Sequence, residues 1–232
     1  MAFELFQPEW GAQRPIFGVL FDMDGVVIDT EKLYTRFWME AAHFHGFPMT
    51  REQALGMRSL STPAGQAQIR GYFGEGADYF AIRAKRIELM DAFVGSHGVE
   101  LKPGIRELLA FLKARGIRCA ITSSAGLPTI RAHLGSVGIA EAFDALCSGK
   151  DVPHGKPAPD IYLHGAAVLG LPPESCLAIE DSPAGIESAY RAGCLPVMVP
   201  DQDQPTEETL AKCFAKADSL LDVIELLRSQ MN

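Results

Sequence analysis

The chain has 232 residues, of which 47% are apolar and 22% charged, and it carries a formal net charge of −8. These proportions are typical of a globular protein large enough for one domain with a sizeable core and a smaller insertion. The acidic balance, with no basic stripe along the chain, argues against a nucleic-acid-binding protein.

Apolar runs alternate with amphipathic stretches along most of the chain. The first apolar run, 16–21, has the continuous pattern of a strand buried on both faces. After residue 100 the patterns predict a helix over 105–112 that Gly116 stops, strands over 117–122, 143–147, 176–180 and 195–199, and helices over 127–137, 159–169, 183–192 and 219–227. Strands that alternate with helices at this spacing predict an α/β fold with a doubly wound, Rossmann-like parallel sheet.

The stretch from 31 to 94 interrupts this alternation, because it contains helical patterns without strand signals. Phe80, Ile87, Met90 and Val94 recur there at helical spacing, which predicts a helix. We therefore expect an α/β core domain of residues 1–30 and 95–232 and an inserted, all-helical cap domain of residues 31–94. Residues 1–14 are expected to form a tail, in which Phe3, Leu5, Phe6 and Trp10 are apolar residues that could pack elsewhere on the protein.

Polar side chains stand where the predicted strands end. Asp22 and Asp24 follow the first strand, Ser123 ends the second, and Glu180 and Asp181 end the fourth. Lys156 lies in a proline-flanked loop after the third strand. Ligands of open parallel sheets bind at the carboxyl ends of the strands, so we expect these side chains to converge.

Carboxylates gathered at one edge would repel one another without a cation, and hard oxygen ligands suit Mg²⁺. Lys156 would offset the charge of a bound phosphate, and Ser123 can donate to a phosphoryl oxygen. The register of this hydroxyl is open by one residue, since Thr122 and Ser124 are its neighbours. The pattern predicts phosphoryl transfer, in which positioning and electrostatics do most of the catalysis.

One carboxylate must act as the nucleophile in such a site. Asp22 comes directly off the buried strand and is the more rigidly held, so it is the predicted nucleophile. Asp24 can reach the leaving oxygen as a general acid and later activate water.

Four segments together resemble the ordered motifs of the haloacid dehalogenase superfamily. They are 21–31 (FDMDGVVIDTE), 120–123 (AITS), 155–160 (GKPAPD) and 179–186 (IEDSPAGI). The chain is most similar to the β-phosphoglucomutase-like phosphatases with a helical cap. The resemblance implies that the protein hydrolyses a small phosphate monoester, with sugar phosphates as candidate substrates. The reaction would pass through an aspartyl-phosphate and use Mg²⁺ as cofactor.

The resemblance also implies roles for individual residues. Asp22 would be nucleophile and metal ligand, and Asp24 would be the acid/base, with its backbone carbonyl on the metal. Lys156 would pair with the nucleophile and the phosphate, and Asp181 would bind Mg²⁺, with Glu180 acting directly or through water. The phosphoryl group would be bound by Ser123, with Ser124 beside it. In the cap, Arg58 lies in a glycine-broken segment where this family keeps substrate contacts.

Three other activities use similar parts. A dehalogenase releases halide and would leave Asp24 idle. A phospho-receiver, which would be a non-catalytic binding protein, has its acidic pair early and is about half as long. The β-phosphoglucomutases are the nearest rival, but they carry a histidine twelve residues after the nucleophile, where this chain has Tyr34.

The remaining expectations concern the protein's surroundings. The five cysteines are scattered without C-x-x-C spacing and are expected to be reduced, buried thiols. The N-terminus lacks the basic region of a signal peptide, and no apolar run is long enough to span a bilayer. We expect a cytoplasmic monomer whose partner is a small phosphorylated metabolite, with no membrane or nucleic-acid partner.

Overall fold

A computed structural model describes residues 3–7, 15–57, 60, 62–202 and 204–231 of the chain. The chain divides into two compact units. One comprises Met1–Asp29 and Glu100–Asn232, and the other comprises Thr30–Val99.

The first unit is built on a seven-stranded sheet. Its strands are β1 (Phe3–Leu5), β2 (Gly18–Phe21), β3 (Arg118–Ser123), β4 (Ala145–Ser148), β5 (Cys176–Glu180), β6 (Leu195–Met198) and β7 (Ala215–Ala217), in the spatial order β1-β7-β6-β5-β2-β3-β4. All neighbouring pairs are parallel except β1 and β7, which are antiparallel. The predicted α/β fold with a Rossmann-like sheet is therefore confirmed, with an antiparallel edge strand added.

Helices of this unit follow the strands as the alternation predicts. They are α5 (Ile105–Arg115), α6 (Leu127–Ser136), α7 (Asp160–Val168), α8 (Pro183–Arg191), the short α9 (Glu207–Leu210) and α10 (Leu220–Ser229). On one face of the sheet, α7 and α8 pack their apolar residues over Leu20, Ala120 and Ala178. Gly165 lets α7 approach closely, because a Cβ there would lie 2.7 Å from Thr122 Cγ2.

Two strands escaped the sequence analysis. Phe3–Leu5, predicted as part of a tail, pairs with β7, and the amide of Phe6 donates to the carbonyl of Phe214. The Phe6 ring packs against Ile186, Met198 and Cys213. These contacts join residues about two hundred positions apart, and both strands are only three residues long, so local patterns carry little signal for them.

The second unit is all-helical, with α1 (Glu31–Phe44), α2 (Arg51–Leu55), α3 (Thr62–Phe73) and α4 (Tyr79–His97) among its described residues. Its core contains Trp38, Ile69, Tyr79 and Ile82, and the Trp38 and Tyr79 rings stack with centroids 6.0 Å apart. The predicted helix is present as α4, in which Phe80 is 53% exposed while its neighbour Tyr79 is buried. The helix also continues past Val94 to His97 and ends at Gly98, whose φ is 72°.

None of the helices in the described part of the chain is both long and apolar enough to cross a membrane.

Candidate active site

The carboxyl ends of three adjacent strands bring the predicted site residues together. In the sheet, β2 lies between β5 and β3, and all three strands run in the same direction. Asp22 follows β2 directly, Ser123 is the last residue of β3, and Glu180 is the last residue of β5. The backbone amide of Asp22 donates to the carbonyl of Ile179 (3.0 Å), so the position of the predicted nucleophile is fixed by the sheet.

Lys156 bridges two of these carboxylates. Its Nζ donates to Oδ1 of Asp22 and to Oε1 of Glu180, the latter at 2.6 Å. The lysine side chain is only 9% exposed, whereas Lys150, the other lysine of this region, is exposed. Of these two lysines, the one in the proline-flanked loop is therefore the one that reaches the carboxylates.

Glu180 uses both of its carboxylate oxygens. Oε1 accepts from Lys156 and from the hydroxyl of Tyr162 (2.6 Å). Oε2 accepts from the backbone amide of Asp181 (3.2 Å) and from the hydroxyl of Ser182 (3.1 Å), which is also the N-cap of α8. This carboxylate is fully buried, and its bonds satisfy the rule that a buried charge must be paired.

Asp22, Glu180 and Asp181 form a cluster suited to a cation. One carboxylate oxygen of each lies within 4.8 Å of the others, and all three residues are buried. Lys156 supplies one positive charge against three carboxylates, so the cluster keeps an excess of negative charge. Hard oxygen donors with this charge fit Mg²⁺. Asp181 also lies against Gly25, where a Cβ would collide with its carboxylate.

Asp24 lies in the turn that follows β2. Gly25, with φ of 84°, lets the chain reverse there, and its amide donates to the carbonyl of Ile28 (2.9 Å). Asp24 itself forms an isolated bridge with Ile28 and is partly exposed. The second acid is thus more accessible than Asp22, which is 9% exposed.

The three candidate hydroxyls at the end of β3 differ in exposure and in hydrogen bonding. Thr122 is fully buried and donates to the carbonyl of Phe21 (3.1 Å), and Ser124 is exposed. Ser123 is 1% exposed, and its Oγ accepts from the amide of Ala125 (3.1 Å), which leaves the hydroxyl hydrogen as a donor. Ser123 is therefore the best placed of the three to bind a phosphoryl oxygen.

Burial is the largest single influence on the pKa values of Asp22, Lys156 and Tyr162. It raises the pKa of Asp22 to about 8; Lys156 opposes this shift, and Glu180 and Asp24 reinforce it. Burial alone would lower the pKa of Lys156, but the charges of Asp22 and Glu180 outweigh it and raise that pKa. Burial, and next the charge of Glu180, hold the pKa of Tyr162 well above its ordinary value, so its hydroxyl stays a donor.

Two residues stand apart from the predicted set. Arg58, the predicted substrate contact in the cap, lies outside the described residues. Tyr162 was missed, because a tyrosine in the apolar helix α7 is equally typical of a core residue. Its position six residues after Lys156, in the first turn of the following helix, is the signal that could have indicated it.

This sheet, with a charged cluster at the carboxyl ends of its central strands, defines an enzyme of the doubly wound α/β class. A family model described as haloacid dehalogenase-like hydrolase matches residues 17–193. Hexitol phosphatase A of Escherichia coli is 34% identical over 178 residues, which cover 76% of this chain and 80% of that protein. The chain belongs to the haloacid dehalogenase-like hydrolase family, and it is a phosphatase-type member of it.

Two solved structures are similar over nearly the whole chain. CbbY from Rhodobacter sphaeroides, in complex with phosphate, has a TM-score of 0.74 and 27% identity, and the match covers 90% of this chain and 96% of that one. β-Phosphoglucomutase from Clostridium difficile has a TM-score of 0.76 and 24% identity, with 93% and 96% covered. At that identity, the likeness to the mutase shows the fold alone.

Proposed function

We propose that this protein hydrolyses small phosphate monoesters, sugar phosphates among them, with Asp22 as nucleophile and Mg²⁺ as cofactor. The observation that carries the proposal is the convergence of Lys156 with Asp22 and Glu180, beside Asp181, at the ends of adjacent strands. The name of one relative, hexitol phosphatase A, supports the substrate class.

The proposed reaction has two steps. First, a carboxylate oxygen of Asp22 attacks phosphorus, the bond from phosphorus to the ester oxygen breaks, and Asp24 gives its proton to that oxygen. Water then attacks the aspartyl-phosphate while Asp24 takes a proton from it, which releases inorganic phosphate and restores Asp22. The greater exposure of Asp24 suits a group that must meet both a leaving group and water.

Lys156 and Ser123 would hold the transferring group in this scheme. Lys156 Nζ is already bound to Asp22, so it can contact the phosphoryl group as it approaches the nucleophile. Ser123, at the end of the neighbouring strand, would donate to another phosphoryl oxygen.

Asp22, Asp181 and the backbone carbonyl of Asp24 would hold Mg²⁺. Both oxygens of Glu180 are engaged by protein donors, so we assign Glu180 to holding Lys156 and to supporting the metal site indirectly. The bound ion would offset the excess negative charge of the carboxylates and of the substrate phosphate.

We also propose that the helical unit Thr30–Val99 acts as the cap domain of this family, with Arg58 among its substrate contacts. Tyr34, in its first helix, favours hydrolysis over a mutase reaction. The mutases have a histidine at this position, which is the side chain that gains and loses a proton most readily near neutral pH, whereas this chain has a tyrosine.

Phosphate release from a panel of sugar phosphates, nucleotides and small organic phosphates tests the proposal. We expect release that requires Mg²⁺ and stops with EDTA. If no substrate in the panel released phosphate but β-glucose 1-phosphate was converted to its isomer, the protein would instead be a mutase.

A further inference from the structure

Tyr162 lies beneath the charged cluster with its whole side chain buried. It belongs to α7, the helix that begins four residues after Lys156, and its exposed fraction is 0%. Its hydroxyl donates to Glu180 Oε1 at 2.6 Å, and its ring centroid lies 5.2 Å from Lys156 Nζ. Tyr162 therefore contacts both partners of one ion pair, through its hydroxyl on one side and its ring on the other.

The oxygen that Tyr162 binds is the same one that binds Lys156. Glu180 Oε1 thus has two donors, and its orientation depends on both. The ammonium group of Lys156 in turn forms ion pairs with both Glu180 and Asp22. Any rotation of the Glu180 carboxylate moves the point to which Lys156 is attracted, and so changes the distance from Lys156 to the nucleophile.

The surroundings of Tyr162 fix the position of its hydroxyl. Tyr162 packs with Leu20 and Ala120 of the sheet, and α7 approaches the sheet closely at Gly165, where a Cβ would lie 2.7 Å from Thr122 Cγ2. The Ser188 hydroxyl donates to the carbonyl of Ala158 (2.5 Å), which ties the loop of Lys156 to α8. The hydroxyl of Tyr162 is therefore a donor whose position is fixed relative to the sheet that carries Asp22.

We propose that Tyr162 is a positioning residue for the phosphoryl-transfer site. Its hydroxyl orients Glu180 so that Glu180 holds Lys156 against Asp22, and its ring supports the ammonium group from below. Tyr162 does not touch the substrate and acts through Glu180 and Lys156. The expected effect on turnover rests on the proposed function. The expected effect on the positions of Glu180 and Lys156 rests on the geometry alone.

Replacing the tyrosine by phenylalanine separates the hydroxyl from the ring. Tyr162→Phe keeps the ring beside Lys156 but leaves Glu180 Oε1 with one donor, so Lys156 shifts toward Glu180. Because a displacement of about 1 Å at a reacting centre can cost about 100-fold in rate, we expect kcat to fall by about 10- to 100-fold while KM changes by less than about threefold. A role in packing alone would lower stability and leave the kcat of the folded enzyme unchanged.

Tyr190→Phe is the matched control. Tyr190 is 43% exposed on α8 in the same unit, and we place it in no part of the site. Loss of its hydroxyl should leave kcat within about twofold of the wild type. Both variants are compared with the wild type at a temperature where circular dichroism shows all three to be folded.

A crystal structure of Tyr162→Phe gives a readout that does not depend on turnover. We expect the Glu180 carboxylate to be rotated and Lys156 Nζ to have moved away from Asp22. A Glu180–Lys156–Asp22 arrangement identical to that of the wild type, or a kcat equal to that of Tyr190→Phe, would overturn the proposal. If the wild type released no phosphate while the variant showed the displaced lysine, the proposed function would fail and the positioning role would stand.

Discussion

Gly185, in the first turn of α8, lies directly against the carboxylate of Glu180. A Cβ at Gly185 would overlap both carboxylate oxygens, and the amide of Gly185 is bound to the hydroxyl of Ser182 (3.1 Å), so the helix cannot easily move away. The start of α8 thus forms one wall of the site. Only glycine leaves enough room for a carboxylate that also contacts Lys156 and Tyr162.

Gly185→Ala should therefore damage the site more than the fold. The methyl group must displace Glu180, which releases Lys156, and we expect a loss of at least about tenfold in kcat. Gly135→Ala is the control, because Gly135 lies in α6 with nothing within 4 Å of a Cβ. Alanine in place of glycine in a helix is expected to be neutral or to stabilise by up to about 1 kcal/mol. Equal activity of the two variants would contradict the assignment of Glu180.

Asp22→Asn tests the nucleophile. The amide is nearly isosteric but cannot attack phosphorus, so we expect turnover to fall by at least about a thousandfold. The variant should remain folded, since Lys156 keeps its bond to Glu180. Phosphate release and thermal unfolding are measured together, with the exposed Asp91→Asn as control. Substantial turnover that persists in pure Asp22→Asn would remove Asp22 from its assigned role.

Binding of Mg²⁺ should release protons. The raised pKa of Asp22, about 8, means that below this pH its carboxyl group tends to hold a proton that a cation must displace. The affinity for Mg²⁺ should therefore rise as the pH increases from 6 toward 8 and level off above that. Calorimetry in buffers of different ionisation enthalpy measures the released protons directly. An affinity for Mg²⁺ that is independent of pH over this interval would show that Asp22 is already ionised.

The five cysteines should be unreactive in the folded protein. All are buried free thiols, and burial raises the pKa of each of them; for Cys147 and Cys176 it reaches about 11, and for Cys119 and Cys213 about 12. A thiol reagent at pH 8 should react slowly with the native protein and with five groups after unfolding. A thiol that reacts rapidly before unfolding would contradict the described burial.

The same shifts have a consequence for stability. The unfolded thiols ionise near their ordinary value of 9.0, before the folded ones do. Between pH 9 and about 12 the folded state therefore binds more protons than the unfolded state, and the free energy of unfolding falls as the pH rises. Below pH 9 this contribution is fully present. Denaturant melts at pH 8 and pH 10 measure the difference, and equal stability at both would count against it.

Arg58 remains a prediction from the sequence. Arg58→Ala should change the ranking of substrates in the panel more than the rate on a generic aryl phosphate, because a cap contact reads the part of the substrate remote from the phosphate. Arg70→Ala, an exposed arginine of α3, is the control. An unchanged ranking would make Arg58 an ordinary surface residue.

Much of the site could be predicted because it depends on strand ends. β2 and β5 are continuous apolar runs, so their carboxyl ends, and with them Asp22, Glu180 and Asp181, could be located in the sequence. The topology of a parallel sheet then requires these ends to meet. Lys156 could be singled out for a related reason, because the prolines that flank it restrict its loop.

The bonds between these residues could not be predicted in the same way. The contact of Tyr162 with Glu180 depends on the rotation of α7 against the sheet, which its apolar pattern leaves open. The buried face of α4 is a second example, because Phe80 and Tyr79 are adjacent and both aromatic, and the packing around Trp38 buries only Tyr79. Local propensity does not contain this information, since it is decided by tertiary contacts.

The antiparallel strand β1, residues Phe3–Leu5, covers one edge of β7. A chain that began at residue 15 would keep every side chain of the acidic site, but β7 would pair only with β6, and its other edge would lose the partner that β1 provides. An uncovered strand edge is a template for pairing with another molecule. Removal of β1 would therefore be expected to reduce the solubility of the protein before it affects the arrangement of the site.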